Sequence, residues 1–308
     1  MPPDQDYIHG YSRREQQRLI AQAQILAPNV LSGLDLSGTH RLLELGCGVG
    51  AELSQIRDHW AGIELTGIDR SAGHLEAARA YLHTELRSGQ ARLVRADASA
   101  LPFGPGAFDT VITIWMLEHI PDPRRVLAEA LRVLEGDGRL IATEVDNGSF
   151  AFEPAVPAIT DWWERFNRYQ TEAGGAPFIG RRLAGLARDL GCRAIHTETL
   201  PIIASDREPA RRAVLLDYLE DLLLSGAERL LTAGLAEHGD IPRLRSAFAE
   251  VRDNPAIGFR YFAVRLTCRR GALQQPVGPS RHRAAGPPDR IGAPTLGCRL
   301  SPSLEPRN

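Results

Sequence analysis

The period of the apolar positions changes several times along the 308-residue chain. Leu42, Leu43 and Leu45 form a short apolar run, the pattern of a strand covered on both faces. Comparable segments predict strands near 41–46, 63–68, 91–96, 108–115 and 139–145. Helical periodicity falls between them, near 50–59, 71–88 and 122–134. Such alternation is the rhythm of a Rossmann-like, doubly wound α/β sheet. Gly136-Asp-Gly138 reads as the turn into the fifth strand. Further on, 181–190 reads as a helix and 192–200 as a strand. The last strand is expected at 257–268, where Phe259, Tyr261 and Ala263 alternate. Ahead of the sheet, Ser12-Arg-Arg-Glu15 is a capping box that opens an amphipathic helix to about Leu26.

Punctuation divides the chain into five parts. Residues 1–30 form an N-terminal segment and helix, and 31–146 the core. Residues 147–180 are an aromatic cap insertion of loop plus helix, holding Phe150, Phe152, Trp162, Trp163, Phe166 and Tyr169. Residues 181–270 complete the core and carry a Leu-rich helical insertion at about 205–254, which either packs internally or offers a homodimer contact. The tail 271–308 holds seven Pro and five Gly with little periodicity, so it is expected to be disordered.

Chemistry concentrates after the first strands. Gly46, Gly48 and Gly50 follow the Leu42–Leu45 run, so backbone can approach a ligand and take positive φ there. A helix starting near Gly50 would point its first amides at that ligand. The second strand ends in Asp69, placed to accept two ribose hydroxyls, and the third in Asp97-Ala98, suited to the exocyclic amine of an adenine. Gly46-x-Gly48-x-x-Ala51 also fits the dinucleotide fingerprint, but Glu44 occupies a position that is usually apolar in dehydrogenases.

With Phe108–Trp115 leading into Met116-Leu-Glu-His119, these five motifs in order resemble the class I S-adenosylmethionine (SAM)-dependent methyltransferases. The likeness is to the branch with ubiquinone/menaquinone-type and natural-product small-molecule enzymes. It covers residues 7–150 by motif and extends more loosely to 270. It implies a seven-stranded, mostly parallel sheet with an antiparallel last strand, and SAM as cofactor with S-adenosylhomocysteine as product.

The resemblance also implies roles. Glu44 would lie near the methionine amino group, with Gly46, Cys47, Gly48 and Gly50 around the carboxylate and ribose. Asp69 would take the ribose hydroxyls, and Arg70 would flank the adenine read by Asp97 and Ala98. Ile114, Trp115 and Met116 would line the sulfonium and the methyl path. Phe150, Trp162 and Trp163, with Trp115, are candidate acceptor contacts. His119 is the candidate base. Tyr11, with Tyr7 and His9, would fold over the cofactor. Some relatives hold a divalent ion with Glu-x-x-Glu-His at this place; here Trp115 replaces the first carboxylate, so no metal is expected.

Composition narrows the partners. Net charge is −2 and all 36 basic residues are Arg, which excludes Schiff-base and P-loop lysine chemistry. Cys47, Cys192, Cys268 and Cys298 are scattered, with no CxxC pair. There is no signal peptide and no long apolar run, so a cytoplasmic protein without membrane attachment is expected. A tRNA or protein methyltransferase would want a basic face or an Asn/Asp-Pro-Pro-aromatic motif after the fourth strand, and neither is present. No nucleic-acid partner is therefore expected. A non-catalytic SAM- or NAD-binding domain is disfavoured by the intact Glu44, Asp69 and Asp97. The leading expectation is transfer of methyl to O, N, S or C of a small apolar or aromatic metabolite.

Overall fold

A computed structural model describes residues 8–271. Tyr7 and the tail from residue 272 onward, whose expected disorder was noted above, lie outside the described residues.

The chain opens with α1 (Arg13–Val30), capped by the Ser12 hydroxyl, which accepts from Glu15 N–H at 3.1 Å. The Glu15 carboxylate takes two bonds from Arg18 instead of reaching back in a full box. The helix runs past the expected end at Leu26 and through Pro28, and the buried Arg265 guanidinium donates to the carbonyls of Val30 and Ser32 at and just beyond its end.

Then come β1 (Arg41–Leu45), α2 (Ala51–His59), β2 (Glu64–Asp69), α3 (Ala72–Tyr81), α4 (His83–Arg87), β3 (Ala91–Arg95) and β4 (Phe108–Ile114). The expected helix over 71–88 is two helices. It breaks at Leu82, whose side chain turns in beneath the glycine turn. After a 3-10 turn at Leu117–His119 come α5 (Pro123–Val133), β5 (Leu134–Glu153), α6 (Pro157–Glu172), α7 (Leu183–Asp189) and β6 (Arg193–Ala204). Three helices, α8 (Pro209–Ser225), α9 (Ala227–Thr232) and α10 (Asp240–Asp253), precede β7 (Gly258–Arg269).

The seven strands form one sheet in the order β3-β2-β1-β4-β5-β7-β6, with β7 antiparallel to both neighbours. Strand β5 differs most from expectation. The Gly136–Gly138 turn is absorbed as an irregularity between the Phe108–Leu134 and Thr110–Arg139 pairs. At its other end, Ala151–Glu153 pair with Arg260–Gly258, so residues placed in a cap loop belong to the sheet.

Strand side chains alternate between two cores. Leu42, Ile112, Ile141 and Ala263 face the layer built by α1, α2, α6, α8 and α10; Leu43, Val111, Leu140 and Leu266 face α5 and α7. The Leu-rich stripe of the 205–254 region, including Leu215, Leu219, Leu223 and Leu230, is buried within the chain itself. Among the described residues, no helix is long and apolar enough to cross a membrane.

Candidate active site

Open parallel sheets bind ligands beyond the carboxyl ends of their strands, where the strand order reverses. Here that point lies between β1 and β4. A cavity of about 430 Å³ opens there, a size within the range of small-molecule sites.

One end is built by the strand-end turns. Gly46 has φ 68°, and a β-carbon on it would stand 2.4 Å from Met116 Cγ, so glycine lets the turn and the β4 end close on each other. Gly50 serves packing instead: it has φ 77°, and its β-carbon would meet Leu82 Cδ1 at 2.6 Å. Asp69 binds the glycine turn to α3, accepting Gly48 N–H on Oδ2 at 3.0 Å and Ser71 N–H on Oδ1 at 2.7 Å. His74 Nδ1 lies 3.8 Å from Oδ2. Asp97 closes its own turn through Ser99 N–H at 2.8 Å. Tyr11 packs its ring on His74 at 4.9 Å, and its hydroxyl accepts from Arg70 at 3.3 Å.

Two carboxyl groups mark the floor of this end. Glu44 is fully buried in β1, and its Oε2 has no hydrogen-bond partner among the described residues. Burial, then Glu52 and Asp69, push its carboxyl well above the usual range. Glu52, in the first turn of α2, lines the cavity, and burial raises it to about 7.

The other end is aromatic. Trp115, Trp163, Phe166, Tyr218 and Tyr261 line it, all buried. Trp115 has φ 53°, a left-handed conformation that costs about 1–3 kcal/mol outside glycine. It is held by its N–H to Thr143 O at 3.0 Å and by the buried Glu144 carboxylate. Glu144 Oε1 accepts the next two amides, Met116 at 3.2 Å and Leu117 at 2.9 Å.

Between the two ends sit Glu118 and His119. Gln170 Nε2 lies 3.1 Å from Glu118 Oε2 and 3.2 Å from His119 Nδ1. Burial, followed by Arg18 and Arg70, lowers His119 to about 3, so its imidazole is neutral. Burial raises Glu118 to about 7, against the opposing Gln170 bond and Arg18 charge.

The structure therefore brings Tyr11, Gly46, Cys47, Gly48, Asp69, Arg70, Asp97, Ala98, Trp115, Met116, His119 and Trp163 to one cavity wall. Four expected residues do not line it. Glu44 lies beneath the turn, and Gly50 packs on Leu82. Trp162 donates its indole N–H to Leu223 O at 3.0 Å. Phe150 stacks on Trp163 at 4.3 Å, with Phe259 and Tyr261 against its edges. Phe150 and Trp162 are thus packing residues, because the extension of β5 pins the first and α8 covers the second.

Sequence reading missed Glu52, Glu118 as a cavity group, Gln170 and Arg18. Arg18 offers a signal in retrospect: Glu15, Arg18 and Gln22 place charge and amide at i, i+3 and i+7 on a helix face that is otherwise apolar, and all three side chains are buried. Such a buried polar stripe is costly unless it is paired or used.

Comparison with known proteins agrees with this geometry. Residues 43–142 match the methyltransferase domain family. An O-methyltransferase of Penicillium expansum is 36% identical over 111 residues, 35% of this chain and 38% of that protein. The demethylmenaquinone methyltransferase of Thermus thermophilus is 36% identical over 104 residues, 34% of this chain and 46% of the relative. Each match thus spans less than half of the curated relative's length. Among solved structures, a phosphoethanolamine N-methyltransferase of Haemonchus contortus, in complex with S-adenosylhomocysteine, shares the fold. Its TM-score is 0.56 at 16% identity, over 86% of this chain and 60% of that one.

Residues 43–142 carry a methyltransferase domain, and SAM is the cofactor that such a domain takes. The residues present fit it. An orphaned buried carboxylate and the cavity-lining Glu52 suit an ammonium, Gly46 and Gly48 suit close backbone approach, and the carboxylates of Asp69 and Asp97 line the cavity where hydroxyl and amine donors could reach them.

Proposed function

We propose that this protein transfers the methyl group of SAM to a small, largely apolar or aromatic acceptor. The observation that carries the reading is one continuous cavity. It joins the Gly46–Gly48, Asp69 and Asp97 strand ends to a chamber walled by Trp115, Trp163, Phe166, Tyr218 and Tyr261.

SAM supplies an electrophilic methyl on a sulfonium. In-line attack by an acceptor atom on that carbon would break the carbon–sulfur bond, with sulfur keeping the electron pair. The protein's own contribution is position: holding both substrates in register is worth up to ~7–11 kcal/mol. The buried aromatic walls exclude water, which favours a transition state in which the sulfonium charge is dispersed. For a protic acceptor, Glu118 takes the proton, since it lines the cavity and deprotonates near neutrality. His119, lowered to about 3, is better suited to orienting Glu118 and the acceptor through Gln170 than to removing a proton.

The test uses methyl-labelled SAM with a cell extract separated into low-mass and macromolecular fractions. Label is expected in the low-mass fraction and is expected to be lost in Asp69→Ala. Label found only in protein or RNA would contradict the small-molecule reading.

A further inference from the structure

At the carboxyl end of β4 the chain holds one indole at a cost and leaves its polar atom unused. Along β4, Ile112 and Ile114 pack into the layer of α1, α6 and α8, while Val111 packs into the opposite one. Strict alternation would send Trp115 to the side of Val111. Instead it shares the core of Ile114, Trp163 and Phe166 and lines the cavity. The left-handed backbone at Trp115, with φ 53°, is what breaks the alternation. Strain of this kind persists only where the surroundings enforce it, and it gathers at ligand sites.

Trp115 is 9% exposed, and its Nε1 is buried with no hydrogen-bond partner among the described residues. The other polar handles on these aromatic walls are used within the protein. Trp163 donates its indole N–H to Asn147 O at 3.0 Å, and Tyr261 donates its hydroxyl to Asn147 Oδ1. The Tyr218 hydroxyl is bonded to Arg18. A buried donor left without a partner costs about 1–3 kcal/mol. Two costs, backbone strain and an idle donor, thus fall on one residue in the wall of a ligand cavity.

We propose that the Trp115 indole N–H binds the methyl acceptor, and that the acceptor presents a carbonyl or phenolic oxygen to it. An indole N–H donates and cannot accept, so it selects an oxygen lone pair and rejects an ammonium. The rings of Trp163 and Phe166, stacked with centroids 5.2 Å apart, give a flat apolar body a wall to lie against. The proposal rests on the small-molecule methyltransferase reading. It makes Trp115 a specificity-determining residue and narrows the acceptor to an oxygenated aromatic or apolar compound.

The test follows the indole N–H signals of the full chain by proton–nitrogen NMR, with S-adenosylhomocysteine present. The chain has four Trp, and the Trp115 signal is the one missing in Trp115→Phe. The probes are acetophenone, 4-ethylphenol and ethylbenzene, which share a shape and differ in oxygen. The first two are expected to move the Trp115 signal downfield and to bind about two- to tenfold more tightly than ethylbenzene, the worth of one hydrogen bond. Their ranking shows whether carbonyl or phenol is preferred. In Trp115→Phe the advantage over ethylbenzene should vanish. Equal affinities for the three probes, or tighter binding of the oxygenated pair with no indole signal moving downfield, would overturn the proposal and leave the methyltransferase reading intact. Both of those outcomes are read on the native protein, so they decide even if the variant fails to fold. Binding of none of the probes would overturn the aromatic or apolar acceptor reading on which the proposal rests.

Discussion

At the scale of single residues, the acids at the strand ends were legible and their neighbours were not. Asp69 and Asp97 end predicted strands, position within a parallel sheet suffices to expect them beside a ligand, and both line the cavity. Glu118 was visible only as a remnant of a metal motif; burial raises its carboxyl and outweighs the lowering effect of Gln170 and Arg18, both distant in sequence. If Glu118 accepts the proton of a protic acceptor, kcat should rise with pH through about 7, because only the ionised carboxylate can serve. Glu118→Gln should flatten that limb and lower kcat by about 10²–10⁴-fold, with little change in SAM affinity. An unaltered pH profile would remove Glu118 from the chemistry. Tyr11 touches the site through one hydroxyl bond to Arg70 and a ring contact with His74. Tyr11→Phe keeps the ring, so SAM binding should weaken only by the worth of one hydrogen bond, about 0.5–1.5 kcal/mol or several-fold in Kd. Unchanged affinity in a titration would exclude a role for the hydroxyl.

At the scale of elements, periodicity located the strands and helices but could not see what packs beneath them. The split of the 71–88 helix and the need for Gly50 are one event: Leu82 turns in, and only a residue without a β-carbon leaves it room. Gly50→Ala should therefore lower stability by about 1–3 kcal/mol, from left-handed strain and overpacking together. Denaturant unfolding would show it, and a variant as stable as the parent would mean that Leu82 repacks at no cost. Strand β5 escaped prediction at both ends for a related reason. Its extension through Glu153 is stabilised by pairing with β7, more than a hundred residues later in the chain, and local pattern carries no record of that partner. The same extension explains why Phe150 could not be told from a pocket aromatic in sequence: its neighbours Phe259 and Tyr261 come from β7.

At the scale of the whole molecule, the order β3-β2-β1-β4-β5-β7-β6 places the Gly46–Gly50, Asp69 and Asp97 turns at one edge, and α1, α6 and α8 close the aromatic side of the cavity. That arrangement concentrates buried acids: Glu44, Glu52, Glu118 and Glu144 all have raised carboxyls, with Glu144 at about 8. An acid raised in the folded state contributes stability below its unfolded value, and that contribution is lost as pH rises through the folded one. Tm should therefore fall as pH rises from about 4.5 to about 8. Glu144→Gln keeps an oxygen for the Met116 and Leu117 amides but cannot ionise, so its decline should be shallower. Parallel curves for the two proteins would show that Glu144 is ionised in the fold. The central claim, that these strand ends form a SAM site, is tested most directly by calorimetric titration with SAM and, separately, with NAD. The account predicts binding of SAM, none of NAD, and loss of SAM binding in Asp69→Ala. Binding of NAD in place of SAM would contradict it.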